Sequence, residues 1–145
     1  GTLRPAVGSG EFLQYRYWLH YAEGSAMPPL LLKLIFDRMP KPPMPLFLRP
    51  AAALIAAGVK AKFVHPQLER HLAFQEQHLA QHPWFAGSQF SGADIQMSFA
   101  LEGAQSRGVL DEETHPSLCA FLEKIHARPA YQRALERGGP YELLS

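Results

Sequence analysis

The chain has 145 residues, a length that suits one domain with a hydrophobic core of its own. It contains 20 Leu and 19 Ala but only 10 Val, Ile and Thr residues together, which favours helices and excludes an all-β fold. The 47% hydrophobic content excludes a disordered chain, and the net charge of +1 gives no reason to expect a nucleic-acid or membrane partner.

Two helices are expected in the first quarter of the chain. The range 11–23 has neither Gly nor Pro and indicates a helix that is apolar on more than one face. Gly24 and Ser25 loosen this helix, and a second one is expected over 28–38 because proline is tolerated in a first helical turn.

A proline-rich connector and a long helical stretch follow. Five prolines lie between Pro40 and Pro50, which indicates a rigid connector. From about Leu46 to Gln81 the pattern is helical again, with a bend predicted at Pro66. The most apolar part, 46–59, is too short to cross a membrane, and we expect it to be a buried helix.

The second half predicts three more helices. Gly87 is a candidate for positive φ in the loop 84–90. Ser91 and Asp94 have the spacing of a capping box, in which each side chain binds the other residue's backbone amide, at the start of a buried helix that runs to about Arg107. The last two helices are expected from Pro116 and over 129–137. The prediction is an all-α bundle of about six helices that forms a single domain over residues 1–145.

Three groups could carry chemistry, and each has a simpler explanation. His71, Gln75, His78 and His82 share one helical face, but no acidic ligand completes a metal site, so we predict a solvated polar face and no metal. Cys119 has no basic residue one turn away that would lower its pKa, and a single cysteine suits a reducing, cytoplasmic setting. Asp94 could act as a general base, but the capping box explains it fully.

An aromatic stripe on the first helix is a different kind of candidate. Tyr15, Trp18, Ala22 and Ser25 fall on one helical face and combine large apolar area with hydroxyl groups and one small gap. Such a surface suits an apolar small molecule with a polar edge. Packing against the core is the alternative, since aromatic stripes at helical spacing usually face a core.

Several segments together resemble the C-terminal helical domain of the cytosolic glutathione S-transferases of bacterial type. The most specific are the turn Trp84-Phe85-Ala86-Gly87 and the segment Phe90-Ser91-Gly92-Ala93-Asp94-Ile95, which looks like the family's capping box before its central helix. His115-Pro116-Ser117-Leu118, Arg128-Pro129-Ala130 and the opening Tyr17-Trp18-Leu19-His20-Tyr21-Ala22-Glu23-Gly24 are also similar. The resemblance extends from about Leu3 to Ala134.

This resemblance implies that two domains of the parent protein have different roles in the reaction. In the family, a thioredoxin-like N-terminal domain binds glutathione, the co-substrate, and stabilises its thiolate, and we expect that domain to lie outside this chain. The helical domain supplies the pocket for a hydrophobic electrophile and part of a homodimer interface, with no bound cofactor. In this sequence, the resemblance implies a pocket wall formed by Tyr15, Trp18, Leu19, Ala22, Ser25 and Met27.

Two functions follow as alternatives. The first is the helical half of a glutathione transferase whose intact parent conjugates glutathione to electrophiles, with no catalytic residue in this chain and no activity of the chain alone. The alternative is a non-catalytic module of the same fold that mediates protein contacts and assembly.

Overall fold

The computed structural model describes residues 3–139, and helices make up most of this range. Its α-helices are α1 Gly10–Tyr21, α2 Met27–Arg38, α3 Arg49–Val59, α4 His65–Leu79, α5 Gly92–Ser106, α6 Pro116–His126 and α7 Pro129–Gly138. A 3-10 turn, Leu46–Leu48, precedes α3. No β-strand forms within residues 3–139, so the all-α prediction is confirmed.

Two wide π-helical turns join α-helices into longer rods. Ala22–Ala26 connects α1 to α2, and Lys60–Val64 connects α3 to α4. The described part of the chain therefore forms five continuous helices, close to the six that the sequence predicts. Each wide turn lies immediately ahead of a proline in the first turn of the following α-helix. Proline lacks an N–H, and a locally wider turn accommodates the missing hydrogen bond. The expected break near Gly24 is thus a π-turn within a continuous helix.

Helix α5 lies at the centre of the bundle, as expected for a buried helix beginning at Ser91. It packs against α1, α2 and α6. Its inward side is formed by small and medium apolar residues, and large rings from the other elements close around it. The buried residues of this core include Trp18, Phe85, Ala93, Met97, Ala100, Leu101, Leu118 and Phe121.

The expectation that 46–59 is buried is wrong. Only Ala52 and Ala56 of α3 are buried, whereas Leu54 and Ile55 are exposed, as are the residues of the preceding 3-10 turn. The periodicity correctly predicts a helix, but an apolar sequence by itself does not say whether another element covers it. Within the described residues no helix has the length and apolar character needed to cross a bilayer.

Candidate functional site

The predicted aromatic stripe divides between the core and the surface. Trp18 is 1% exposed and Ala22 is 0% exposed. The Trp18 ring packs against Phe85 and His78, each with a centroid distance of 4.6 Å, and stacks on Phe74 at 5.4 Å. The prediction that Trp18 and Ala22 form part of a pocket wall is therefore wrong. Both are core residues that no ligand can reach in this structure.

The other four predicted wall residues are partly buried. Tyr15, Leu19 and Met27 pack against the outside of the core. Ser25 alone of the six lines an open groove. The six predicted residues therefore do not form one continuous pocket wall.

The open groove lies on the opposite side of α1. It has a volume of about 470 Å³ and is lined by Leu13, Arg16, Tyr17, His20, Tyr21 and Ser25. Leu13 and Tyr17 are four residues apart, which places them one helical turn from each other on the same face. Arg16 and His20 repeat this spacing and provide polar groups beside the apolar ones. The groove can therefore hold an apolar molecule that also carries a polar or negatively charged group.

Tyr17 is the main aromatic surface of the groove. Its side chain is 47% exposed. The ring is held in place by edge contacts with Trp18, at a centroid distance of 5.2 Å, and with Phe74 at 6.5 Å. A ring that is fixed on one side and open on the other is suited to stacking with a flat apolar ligand, at little cost in side-chain entropy.

A polar cluster closes one edge of the groove. The Tyr21 hydroxyl is hydrogen-bonded to Nδ1 of His71 at 2.6 Å. Burial raises the pKa of Tyr21 to about 12 and lowers the pKa of His71. The phenol therefore stays protonated at neutral pH, and its hydrogen bond holds the Tyr21 side chain in place rather than preparing it to lose a proton.

The histidine face is not the solvated polar face that the sequence predicts. Gln75 is buried, and His78 Nε2 donates a hydrogen bond of 3.0 Å to the Phe85 carbonyl. Burial lowers the pKa of His78, and its ring stacks on His82 at a centroid distance of 4.3 Å. Among residues 3–139, no group of three or more His, Cys, Asp or Glu side chains is arranged to hold a metal ion.

The Ser91 and Asp94 capping box is confirmed. One carboxylate oxygen of Asp94 accepts from the Ser91 amide at 2.8 Å, and the other accepts from the Phe85 amide at 2.8 Å. Burial raises the pKa of Asp94, although the hydrogen bonds act in the opposite direction and lower it. Because the side chain is buried and its oxygens are engaged by amides, it has no access to a substrate. Asp94 is thus a structural residue that joins the 84–90 loop to the start of α5.

Cys119 lacks the features of a nucleophile. Burial, and then the negative charges of nearby carboxylates such as Glu112 and Glu76, raise the pKa of its thiol. The thiol is therefore protonated at neutral pH, and the reactive form of a cysteine is the thiolate.

The sequence points to the first helix but does not predict the open side of that helix. The groove residues that were not predicted are Leu13, Arg16, Tyr17 and His20. A signal was present, because these four are also spaced by one helical turn and mix apolar with polar groups, as a surface groove requires. The stripe of Trp18 and Ala22 lacks charged residues, which is more typical of a face turned to the core.

Comparisons with known proteins give a consistent result. Residues 45–129 match the family model described as the C-terminal domain of glutathione S-transferase. Glutathione S-transferase 3 of Schizosaccharomyces pombe is 30% identical over 127 residues, which cover 88% of this chain and 52% of that protein. Glutathione S-transferase 1 of Saccharomyces cerevisiae is 27% identical over 125 residues, which cover 86% of this chain and 53% of that protein.

Solved structures share the fold. A sphingomonad glutathione S-transferase complexed with glutathione is 26% identical with a TM-score of 0.67, and the match covers 96% of this chain and 60% of that one. A glutathione transferase from Methylococcus capsulatus is 28% identical with a TM-score of 0.62, covering 95% of this chain and 59% of that one. The chain spans about half the length of the curated relatives it matches.

Proposed function

Because this chain belongs to the glutathione S-transferase family, whose C-terminal domain it matches, we propose that it forms the hydrophobic co-substrate pocket of a transferase. The intact parent protein would conjugate glutathione to electrophilic small molecules. The observation that carries this proposal is the open groove on α1, which combines an exposed aromatic ring with polar groups. The pocket wall is then the side of α1 that carries Leu13 and Tyr17, together with Ser25.

The groove suits a flat, apolar electrophile. Such a molecule would stack on Tyr17 and contact the Leu13 side chain, so that the burial of apolar surface supports binding. Arg16 and His20 lie within reach of the same groove and would interact with an electron-rich substituent of the ligand, such as a nitro group. Holding the electrophile in one orientation accelerates attack by a thiolate that another domain positions.

The group that activates glutathione is proposed to come from a thioredoxin-like N-terminal domain of the parent protein. The pKa values of Cys119 and Tyr21 are raised, and the Tyr21 hydroxyl is engaged by His71. Neither residue is therefore prepared to stabilise a thiolate at neutral pH. We expect the 145-residue chain alone not to conjugate glutathione to an electrophile above the uncatalysed rate, and a rate above it would contradict this part of the proposal.

A homodimer is proposed as the assembly of the parent. Phe74 on α4 is exposed and lies beside Tyr17, so the apolar surface continues past the edge of the groove onto a second helix. Continuous apolar surface across two helices is typical of a surface that another protein covers. Part of the homodimer interface is therefore expected at Phe74.

The substitution Tyr17→Ala in the full-length transferase tests the pocket. With 1-chloro-2,4-dinitrobenzene as the electrophile, we expect KM for the electrophile to rise by about tenfold, since roughly half the area of an aromatic side chain no longer contacts the ligand. KM for glutathione is expected to stay the same, because glutathione would be bound by the other domain.

Ile95→Ala is the matched control. Ile95 is an exposed apolar residue at the start of α5 and is not part of the groove, so both KM values should stay at the wild-type level. Equal KM values for Tyr17→Ala and wild type would refute the pocket. If Tyr17→Ala instead abolished binding to a protein partner, the assembly module would be the better account.

A further inference from the structure

Helix α3 carries an apolar surface that no other element within residues 3–139 covers. Between Arg49 and Lys60 the sequence has no polar or charged side chain. Leu54 on this helix is 76% exposed, and Phe47 in the preceding 3-10 turn is 81% exposed. A helix that is apolar on all sides is normally buried, so a partner of some kind is expected on this one.

The exposed surface lies on a projecting part of the molecule. Helix α3 packs against α2 and against the two turns that flank it, and against no other described helix. Lys60, directly after α3, forms an ion pair with Asp37 near the end of α2. The attached end of α3 is therefore its C-terminal end, and its 11 residues extend about 16 Å from there. We call residues 39–59 the α3 arm.

The charge of this region is one-sided. The α3 arm contains Lys41 and Arg49 and no Asp or Glu. Since the whole chain has 14 basic and 13 acidic residues, the remainder holds 12 basic and 13 acidic residues. The net charge of +1 thus combines a basic arm with a nearly neutral remainder. Within the arm, Lys41 is exposed, and Arg49 donates from Nε to the Met44 carbonyl at 3.0 Å and forms no ion pair with a carboxylate of residues 3–139.

We propose that the α3 arm docks on the surface of an anionic lipid bilayer. Leu46, Phe47 and Leu54 enter the boundary between headgroups and acyl chains, and Lys41 and Arg49 contact the lipid phosphates or carboxylates. Exposed apolar side chains next to basic ones, without an acidic residue among them, have the chemistry of an interfacial membrane contact. The arm lies on the bilayer and does not span it. This inference is independent of the proposed transferase function, since it uses no residue of the groove.

Charge also decides between a bilayer and a second copy of the chain. In a two-fold symmetric dimer through the arms, the same surface meets itself. Lys41 and Arg49 of one arm would then face those of the other, and the arm itself has no carboxylate to pair with them. Repulsion disfavours that dimer, whereas the same residues are attracted to an anionic surface.

Vesicle flotation of the 145-residue chain tests the proposal. The chain is expected to float with phosphatidylcholine vesicles that contain phosphatidylserine, and to do so far less with pure phosphatidylcholine. Phe47→Ser should lower the partition coefficient at least tenfold, because the serine side chain no longer transfers a large apolar surface out of water. Lys41→Gln should lower it about fivefold, as expected for one basic residue at an anionic surface.

Val7→Ser is the matched control, since Val7 is 71% exposed but lies before α1, outside the arm. Its partition coefficient should equal that of the wild type. Equal binding of the wild type to both kinds of vesicle, or wild-type binding by Phe47→Ser, would overturn the proposal. Sedimentation velocity without lipid provides a second readout. We expect Phe47→Ser to leave the mass unchanged, and a loss of mass would assign the arm to contacts between copies instead.

Discussion

Removing the Asp94 carboxylate should destabilise the fold by about 3 kcal/mol. In Asp94→Ala, the amides of Phe85 and Ser91 both lose an acceptor that lies 2.8 Å away. Both residues are buried, with exposed fractions of 0% and 2%. A buried amide without a partner costs about 1–3 kcal/mol. Two of them therefore cost about 2–6 kcal/mol, and partial access of water to the vacated space favours the lower half of this range.

The assay is urea unfolding followed by circular dichroism, with the free energy of unfolding extrapolated to water. Asp111→Ala is the matched control. Asp111 also accepts a backbone hydrogen bond, from Thr114 at 2.9 Å, but it is exposed, and water can replace it there. Its loss should therefore cost clearly less stability than the loss of Asp94. Asp94→Asn should fall between the two, because the amide keeps one acceptor oxygen and loses the other.

A small effect would refute this reasoning. If Asp94→Ala lost no more stability than Asp111→Ala, the buried amides would have found other partners, and Asp94 would not be the link between the 84–90 loop and α5. If Asp94→Ala kept its stability but abolished the activity of the parent transferase, the general-base interpretation would have to be restored.

Three further predictions concern stability. Trp18→Ala should lower the free energy of unfolding by about 3–5 kcal/mol, since a buried aromatic residue is removed from the core, and a loss below about 1 kcal/mol would argue against core burial. Gly87→Ala should cost about 1–3 kcal/mol, because φ is +134° and a Cβ would lie 2.7 Å from the Glu11 carboxylate. Gly58→Ala, with open space around it and a helical backbone, should instead be neutral or stabilising. Burial lowers the pKa of His71 and His78 in the folded protein. Their contribution to the free energy of unfolding is therefore fully present above the unfolded-state pKa of about 6.5 and is lost as the pH falls below that value. Urea unfolding at about pH 7 and about pH 5 should show this loss, and the double variant with Gln at both positions should show a smaller one.

Helices and caps could be predicted because they depend on neighbours in sequence. The capping box needs only Ser91 and Asp94 three residues apart, and the structure forms it. Gly87 marks a turn that requires positive φ, and the structure has it. The second acceptor role of Asp94, toward the Phe85 amide, joins residues nine apart through a loop, and no local pattern indicates it.

The open face of α1 could not be predicted in the same way. Trp18 and Tyr17 are adjacent in sequence and both aromatic, yet one is buried and the other is exposed. Which of them faces the core depends on where α4 and the 84–90 loop pack, as the contacts of Trp18 with His78 and Phe85 show. The exposure of α3 is a similar case, because an apolar helix predicts a partner but does not identify it.

The most direct test of the pocket is to map where an apolar electrophile binds. An ¹⁵N-labelled chain titrated with 1-chloro-2,4-dinitrobenzene can be followed amide by amide in NMR spectra. The account predicts shift changes concentrated at Leu13, Tyr17 and His20 on the open face of α1, with the amides of α6 unaffected. Changes centred on another part of the bundle, or no change at all up to the solubility limit of the electrophile, would contradict it.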